Sequence, residues 1–211
     1  MRIVCISDTH GHHAKWEVPD GDILVHAGDL TDDGDLADVE DFDRWLGTLP
    51  HRHKIVIAGN HDFCFQQQPD RARQRLSHAT YLQDEAVVID GVKFYGSPWQ
   101  PWFFDWAFNL PRGADIAAKW ALIPADTTVL VTHGPPLGIG DLTKRGDLAG
   151  CADLLARVQV VRPKLHVFGH IHEAAGVYHT QETLFVNAAI RPGQNRGTVV
   201  DLTANGISAV D

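Results

Sequence analysis

Two short pairs of side chains bracket the chain: Asp8 and His10 near its start, His170 and His172 near its end. Each pair follows an apolar run that reads as a buried strand, Ile3-Val4-Cys5-Ile6 before the first and Leu165-His166-Val167-Phe168 before the second. In extended backbone, side chains at i and i+2 leave the same face about 6–7 Å apart. Two metal-ligating side chains at that spacing, at a strand's exit, can converge on one cluster. Three more expected strand exits carry similar residues: Asp29 and Asp32 after Ile23-Leu24-Val25-His26, Asn60 and His61 after Ile55-Val56-Ile57, and His133 after Val129-Leu130-Val131-Thr132. Sites in α/β proteins form at the carboxyl ends of strands. Gly28, Gly59, Gly134 and Gly169 adjoin these residues and allow tight turns and close approach.

The donor set combines carboxylates, an amide and several imidazoles, with no thiolate. That mix suits manganese, iron or zinc and is too rich in nitrogen for a calcium or magnesium cage. It also exceeds what one tetrahedral zinc needs. Two ions about 3.5–4 Å apart, bridged by a carboxylate, accommodate all of it.

Short strands alternating with helices must position these residues. The spacing of Leu36, Val39, Phe42, Trp45, Leu46 and Leu49 predicts a helix from Asp35 to Leu49, and Gly47 and Pro50 mark its end. A short polar helix is expected over Arg71–Leu76, and a hairpin over Val87–Tyr95 with an Asp90-Gly91 turn. Further helices are read over Ile116–Leu122 and 152–161, the latter closed by Pro163. The tail from Leu184 to Val210 reads as antiparallel strands with an Asn205-Gly206 turn. The Pro- and Gly-rich segment 134–150 reads as a long functional surface loop. With no repeat or linker in view, the expected organisation is one domain over residues 1–211, a mixed sheet arrangement with helices outside.

Composition narrows the function classes. The chain has 211 residues, a net charge of −9 and 44% hydrophobic residues. The negative balance argues against long, non-specific nucleic-acid binding, which relies on Lys and Arg against phosphates. No apolar stretch approaches the ~20 residues of a membrane span, and no signal sequence precedes the first strand, so a cytoplasmic location away from membranes is expected. Cys5, Cys64 and Cys151 are odd in number without CxxC spacing and read as reduced core thiols. The 13 histidines are the compositional hint of metal chemistry.

The ordered blocks Asp8-x-His10, Gly28-Asp29-x-x-Asp32, Gly59-Asn60-His61-Asp62, His133 and Gly169-His170-x-His172 resemble the calcineurin-like metallophosphoesterases over nearly the whole chain. Tyr95-Gly96-Ser97-Pro98-Trp99, Trp106-Ala107-Phe108-Asn109 and Thr132-His133-Gly134-Pro135-Pro136 are similar to the metallophosphoesterase-domain-containing subgroup of animals and microbes. The resemblance implies a four-layer α/β/β/α sandwich and a binuclear metal centre of divalent or trivalent ions, manganese first and iron or zinc as alternatives. It implies one ion on Asp8, His10, Asp29 and His172, and a second on Asp29, Asn60, His133 and His170. Some animal relatives carry Gly in place of the first His of the final pair; His170 therefore implies a full second site here.

By the same resemblance, His61 contacts the phosphate and protonates the leaving oxygen, and Asp32 orients His61 from behind. The implied reaction is hydrolysis of a small phosphodiester, cyclic nucleotides among the candidates, by attack of a metal-bridging hydroxide. A phosphomonoesterase of similar mechanism and a non-catalytic scaffold on the same fold are the alternatives. Asp32 has a plain reading too, as an acidic helix entry. His12 and His13 read as solvated loop residues, and His26 and His166 as core residues or supports for the ligands. The aromatic segment Trp99–Trp106 is expected to pack on its own rings, with an apolar wall for an organic group as the second reading.

Overall fold

The computed structural model describes residues 1–189, 196–204 and 206–210. In chain order these form β1 (Arg2–Ile6), β2 (Ile23–Ala27), α1 (Leu36–Thr48), β3 (His53–Ile57), α2 (Phe63–Gln67), α3 (Pro69–Arg75), β4 (Thr80–Tyr81), β5 (Glu85–Ile89) and β6 (Val92–Ser97). Then come β7 (Gln100–Pro101), β8 (Asn109–Leu110), α4 (Ala114–Ala121), β9 (Val129–Thr132), α5 (Ala152–Val161), β10 (Leu165–Phe168), β11 (Gly176–His179), β12 (Leu184–Asn187), β13 (Thr198–Thr203) and β14 (Gly206–Val210).

Two six-stranded mixed sheets face each other, ordered β14-β13-β1-β2-β3-β4 and β11-β12-β10-β9-β6-β5, and a two-residue ladder joins β7 to β8. β1 through β4 run parallel, as do β6, β9, β10 and β12. Antiparallel pairing is confined to the flanks, where β13 lies on β1, β14 on β13, β5 on β6 and β11 on β12.

The alternation of side chains along each strand builds the layers. Ile3 and Cys5 of β1 point between the sheets with Val25, Ile57, Val131 and Val167, whereas Val4 and Ile6 point outward against Val39, Phe42 and Leu46 of α1. On the far side Leu130, Phe168 and Phe185 meet Ile116 and Trp120 of α4 and Leu154 and Val158 of α5. The result is the expected four-layer α/β/β/α sandwich. Because helices cover both outer faces, the central strands are buried on both sides and read as continuous apolar runs.

The helices and the hairpin fall where the spacing predicted them, with two departures. α2 went unread because its five residues are too short for periodicity, and the polar helix begins earlier, at Pro69, whose fixed φ suits a first turn. The tail is not one antiparallel set: β12 runs parallel to β10, and only β13 and β14 form the expected hairpin. Asn205 of the expected turn lies outside the described residues. Among those described, no helix is long and apolar enough to cross a membrane.

Candidate metal centre

β1, β2, β3, β9 and β10 all send their following loops to one edge of the sandwich, and backbone hydrogen bonds lock those loops together. Asp8 N–H donates to Gly28 O (2.9 Å), His10 N–H to Asp29 O (3.0 Å) and Gly169 N–H to His133 O (2.9 Å). The side chains gathered there form two groups built on a buried carboxylate, Asp8/His10/His172 and Asp29/His133/His170, and a third, more exposed one that shares His10, His10/Asp32/His61, each with ligand atoms within 4.8 Å of one another. His172 Nε2 lies 3.2 Å from Asp8 Oδ1 and His133 Nε2 3.4 Å from Asp29 Oδ2. Asn60 Oδ1 is 2.9 Å from His133 Nε2. Asp29 Oδ2 also comes within 3.9 Å of His10 Nε2, so this one carboxylate stands between the two groups.

The convergence has a different cause from the one the spacing suggested. Asp8 and His10 are not in extended backbone: their φ angles are 58° and 43°, and Asp29 and His170 sit at 55° and 68°. Left-handed conformations are uncommon for residues other than glycine and concentrate at functional sites. Turns beyond the strand ends, rather than strand pleat, bring the pairs inward, and His172 opens a short 3-10 turn, His172–Ala174.

Glycine is required where the backbone passes the carboxylates. A Cβ at Gly169 would collide with Asp8 Oδ2 and Ser7 Oγ, and one at Gly59 with Asp29 Oδ1 and the His133 ring. Gly134 does not share this role, since a Cβ there would meet only Gln100 Cβ at 3.5 Å, an ordinary contact.

These residues fit divalent ions on two counts. Bonds of about 2.0–2.2 Å place neighbouring donors on one ion about 3–3.5 Å apart, close to the spacings above. Second, His133 Nδ1–H donates to Ala27 O at 2.9 Å, so Nε2 is the free nitrogen, and it faces the oxygens of Asn60 and Asp29. A neutral ring would aim a lone pair at both, so positive charge is needed between them, either a proton on Nε2 or a metal ion in its place.

The ionisation of the cluster follows. Burial alone would lower the pKa of His133, but Asp29, with Asp8 and Ala27 O, lifts it to about 9. The hydrogen bond to Asp8 raises His172. Burial drives His10 down, and burial with the neighbouring His133 takes His170 to about 4. Desolvation works against ionised Asp8 and Asp29, yet their histidine partners hold both below the usual carboxylate range. Neutral imidazole and ionised carboxylate are the ligand forms; His10, His170, Asp8 and Asp29 are held in them, whereas a metal ion at His133 and His172 would displace a proton.

His61 stands at the cavity wall beside the first group, a ring nitrogen within 4.8 Å of ligand atoms of His10 and Asp32. Its Nδ1–H donates to the main-chain O of Asp32 at 2.6 Å, and its ring packs 4.2 Å from Trp106 and edge-on at 4.5 Å from His10. The contact expected of Asp32 is therefore made by its carbonyl. Its carboxylate is largely exposed, 3.8 Å from His10 Nδ1.

Asp62 is the site residue that sequence reasoning left without a task. Its buried carboxylate accepts from Gly59 N (2.7 Å), Thr31 N (2.9 Å), Thr31 Oγ1 (2.7 Å) and Leu30 N (3.3 Å), tying the Asp29 loop to the Asn60 loop. Its place directly after His61 in an all-polar block was the available signal. His26 and His166 are buried supports, bonded to Thr9 Oγ1 (3.0 Å) and Thr132 Oγ1 (2.8 Å). Cys5, Cys64 and Cys151 are buried free thiols, as expected. His13 departs from its expectation: it is buried against Phe42 and 3.1 Å from Asp41. The segment 134–150 starts in the interior rather than on the surface, since residues 134–136 are buried. Trp99–Trp106 is corrected as well. Trp102, Phe103 and Phe104 are 62%, 46% and 68% exposed and line the cavity over the metal groups instead of packing only on one another.

The sequence model of the calcineurin-like phosphoesterases matches residues 1–174. Metallophosphoesterase domain-containing protein 1 of Homo sapiens is 44% identical over 214 residues, which is 90% of this chain and 66% of that protein. The chain thus spans just under two thirds of that relative. A Synechococcus protein named as a probable cyclic nucleotide phosphodiesterase is 31% identical over 162 residues, 72% of this chain and 58% of that one. A crystal structure from Thermus thermophilus shares the fold with a TM-score of 0.65 at 15% identity, covering 100% of this chain and 98% of that one.

Proposed function

Because the chain belongs to the calcineurin-like phosphoesterase family, we propose that it is a two-metal hydrolase of small phosphodiesters. The observation that carries this reading is the Asp29 carboxylate standing between two groups of ligands drawn from five strand exits, with His61 beside them. The name of the Synechococcus relative supports a diester over a monoester. Two first-row ions, manganese first, held on Asp8/His10/Asp29/His172 and on Asp29/Asn60/His133/His170, would neutralise phosphoryl oxygens and acidify a water.

The chain's own residues do the rest. Asp8 and Asp29 are buried and ionised, and so carry the negative charge that cations need. His61 is fixed by the Asp32 carbonyl, which takes its Nδ1–H, so the ring acts as an acid in its imidazolium form, with the second proton on Nε2. As the P–O bond to the leaving group breaks and the water oxygen bonds to phosphorus, Nε2–H protonates the departing alkoxide. Such general acid help is typically worth about 10²–10⁴-fold.

The test is hydrolysis of bis(p-nitrophenyl) phosphate, p-nitrophenyl phosphate and a cyclic nucleotide by manganese-loaded protein. The proposal expects diester turnover that EDTA abolishes and manganese restores. Faster monoester turnover would replace it with a phosphatase, and metal binding without hydrolysis would leave a scaffold.

A further inference from the structure

From the loop between β7 and β8, and resting on the diesterase reading, we infer that this enzyme selects phosphodiesters bearing a planar aromatic group, which it holds against the rings of Trp102, Phe103 and Phe104. The three rings stand over a cavity of about 890 Å³ whose floor includes Asp29, Asn60, His170 and His172. Phe103 meets Phe104 edge-on at 4.6 Å and reaches the His170 ring at 6.0 Å, so the apolar wall begins where the metal ligands end. Three large apolar side chains left in water beside a polar floor mark a binding surface.

The wall is built rather than draped. Phe104 takes φ 47°, a strained angle for a bulky residue. The Asn109 amide holds it there by donating to both Phe103 O and Phe104 O at 3.0 Å, and Gln100 Nε2 in turn holds Asn109 Oδ1 at 3.1 Å. The base of the loop is bolted to the site, with Ala107 N–H donating to Asn60 O at 3.0 Å and Trp106 packed on His61. An aromatic group on this wall would therefore be placed in a fixed relation to Asn60 and His61.

Charge is not the means of recognition. Among the described residues lining the cavity outside the metal groups and His61, the charged ones are Asp105, Arg112 and Glu173. The Arg112 guanidinium is engaged by Gly150 O (2.7 Å) and Ala149 O (3.0 Å). Two of the five N–H donors of Arg112 are thereby spent, and with Asp105 and Glu173 the charged lining there is net negative, whereas the rings offer faces to a flat partner.

The experiment keeps p-nitrophenol as the group that departs beside His61 and changes the retained arm, the one the wall is inferred to hold: p-nitrophenyl phenyl phosphate against p-nitrophenyl methyl phosphate, on manganese-loaded protein. The expected kcat/KM ratio favours phenyl by about tenfold, the order of one or two aromatic contacts. It should fall toward one in the double variant Phe103→Ala/Phe104→Ala and survive in Phe104→Trp. A ratio near one in the native protein overturns the inference while leaving the diesterase reading intact. A ratio that persists in the double variant overturns the assignment to these rings. If neither ester is hydrolysed, the diesterase reading fails, and calorimetric binding of phenylphosphonate against methylphosphonate decides alone. A tenfold preference lost in the double variant upholds the wall, and equal binding sinks it.

Discussion

Asp62→Asn should loosen the centre without touching a proposed metal ligand. Oδ1 of the native carboxylate accepts from Thr31 N and Oγ1, and Oδ2 from Gly59 N and Leu30 N. An amide keeps its oxygen for Gly59 N and Leu30 N and turns its NH2 to Thr31, where Oγ1 can accept from it but the buried Thr31 N–H is left unpaired. Such an orphaned group costs about 1–3 kcal/mol. Against this, the carboxylate is itself strained by burial and by Asp29, which raise its pKa to about 6, and the neutral amide relieves that strain. A net loss of about 1–2 kcal/mol is expected, a sizeable share of the ~5–15 kcal/mol of a typical domain. With a urea m-value of about 2 kcal/mol/M, the midpoint in EDTA should fall by about 0.5–1 M. Since the carboxylate ties the Asp29 loop to the Asn60 loop, manganese affinity should weaken in parallel. A variant that melts with the native protein and binds manganese equally well would refute the view that Asp62 organises the site.

His61→Ala should lower turnover by about 10²–10⁴-fold with manganese content unchanged; metal loss would move His61 from acid to ligand. Asp32→Ala should change kcat by no more than about threefold, because the atom that fixes His61 is a carbonyl the substitution leaves in place; a His61-sized loss would restore the carboxylate to the mechanism. His166 is buried neutral, with burial lowering its pKa to about 3. A depressed folded value means that its stabilising contribution is full above the unfolded value of about 6.5 and is lost as pH falls toward 3. Between pH 7.5 and 5 this amounts to about 2 kcal/mol, so urea midpoints in EDTA should fall less steeply with pH in His166→Gln; identical slopes would contradict it.

The sandwich and most of the centre were legible because they rest on strong, local signals. Ile3–Ile6 and Leu165–Phe168 are apolar enough to read as buried strands, and α1 shows its apolar stripe over thirteen residues. The ligand blocks were readable because each sits at a parallel strand's exit, where the fold gathers loops. What the sequence hid was geometry that pattern does not encode. Nothing in Asp8-Thr9-His10 announces left-handed turns, which come from hydrogen bonds to Gly28 and Asp29. The Asp32 carbonyl cannot be told from its carboxylate before the loop is folded. The outward rings of Phe103 and Phe104 depend on Asn109, six and five residues away, and no period links them.

Manganese stoichiometry, measured by elemental analysis after equilibrium dialysis, tests the two-ion centre most directly. The native chain should hold two ions, and His170→Ala and His172→Ala one each, because the first removes a ligand from the Asp29/His133 group and the second from the Asp8/His10 group. A single ion in the native protein, or two ions retained in both variants, would contradict the account.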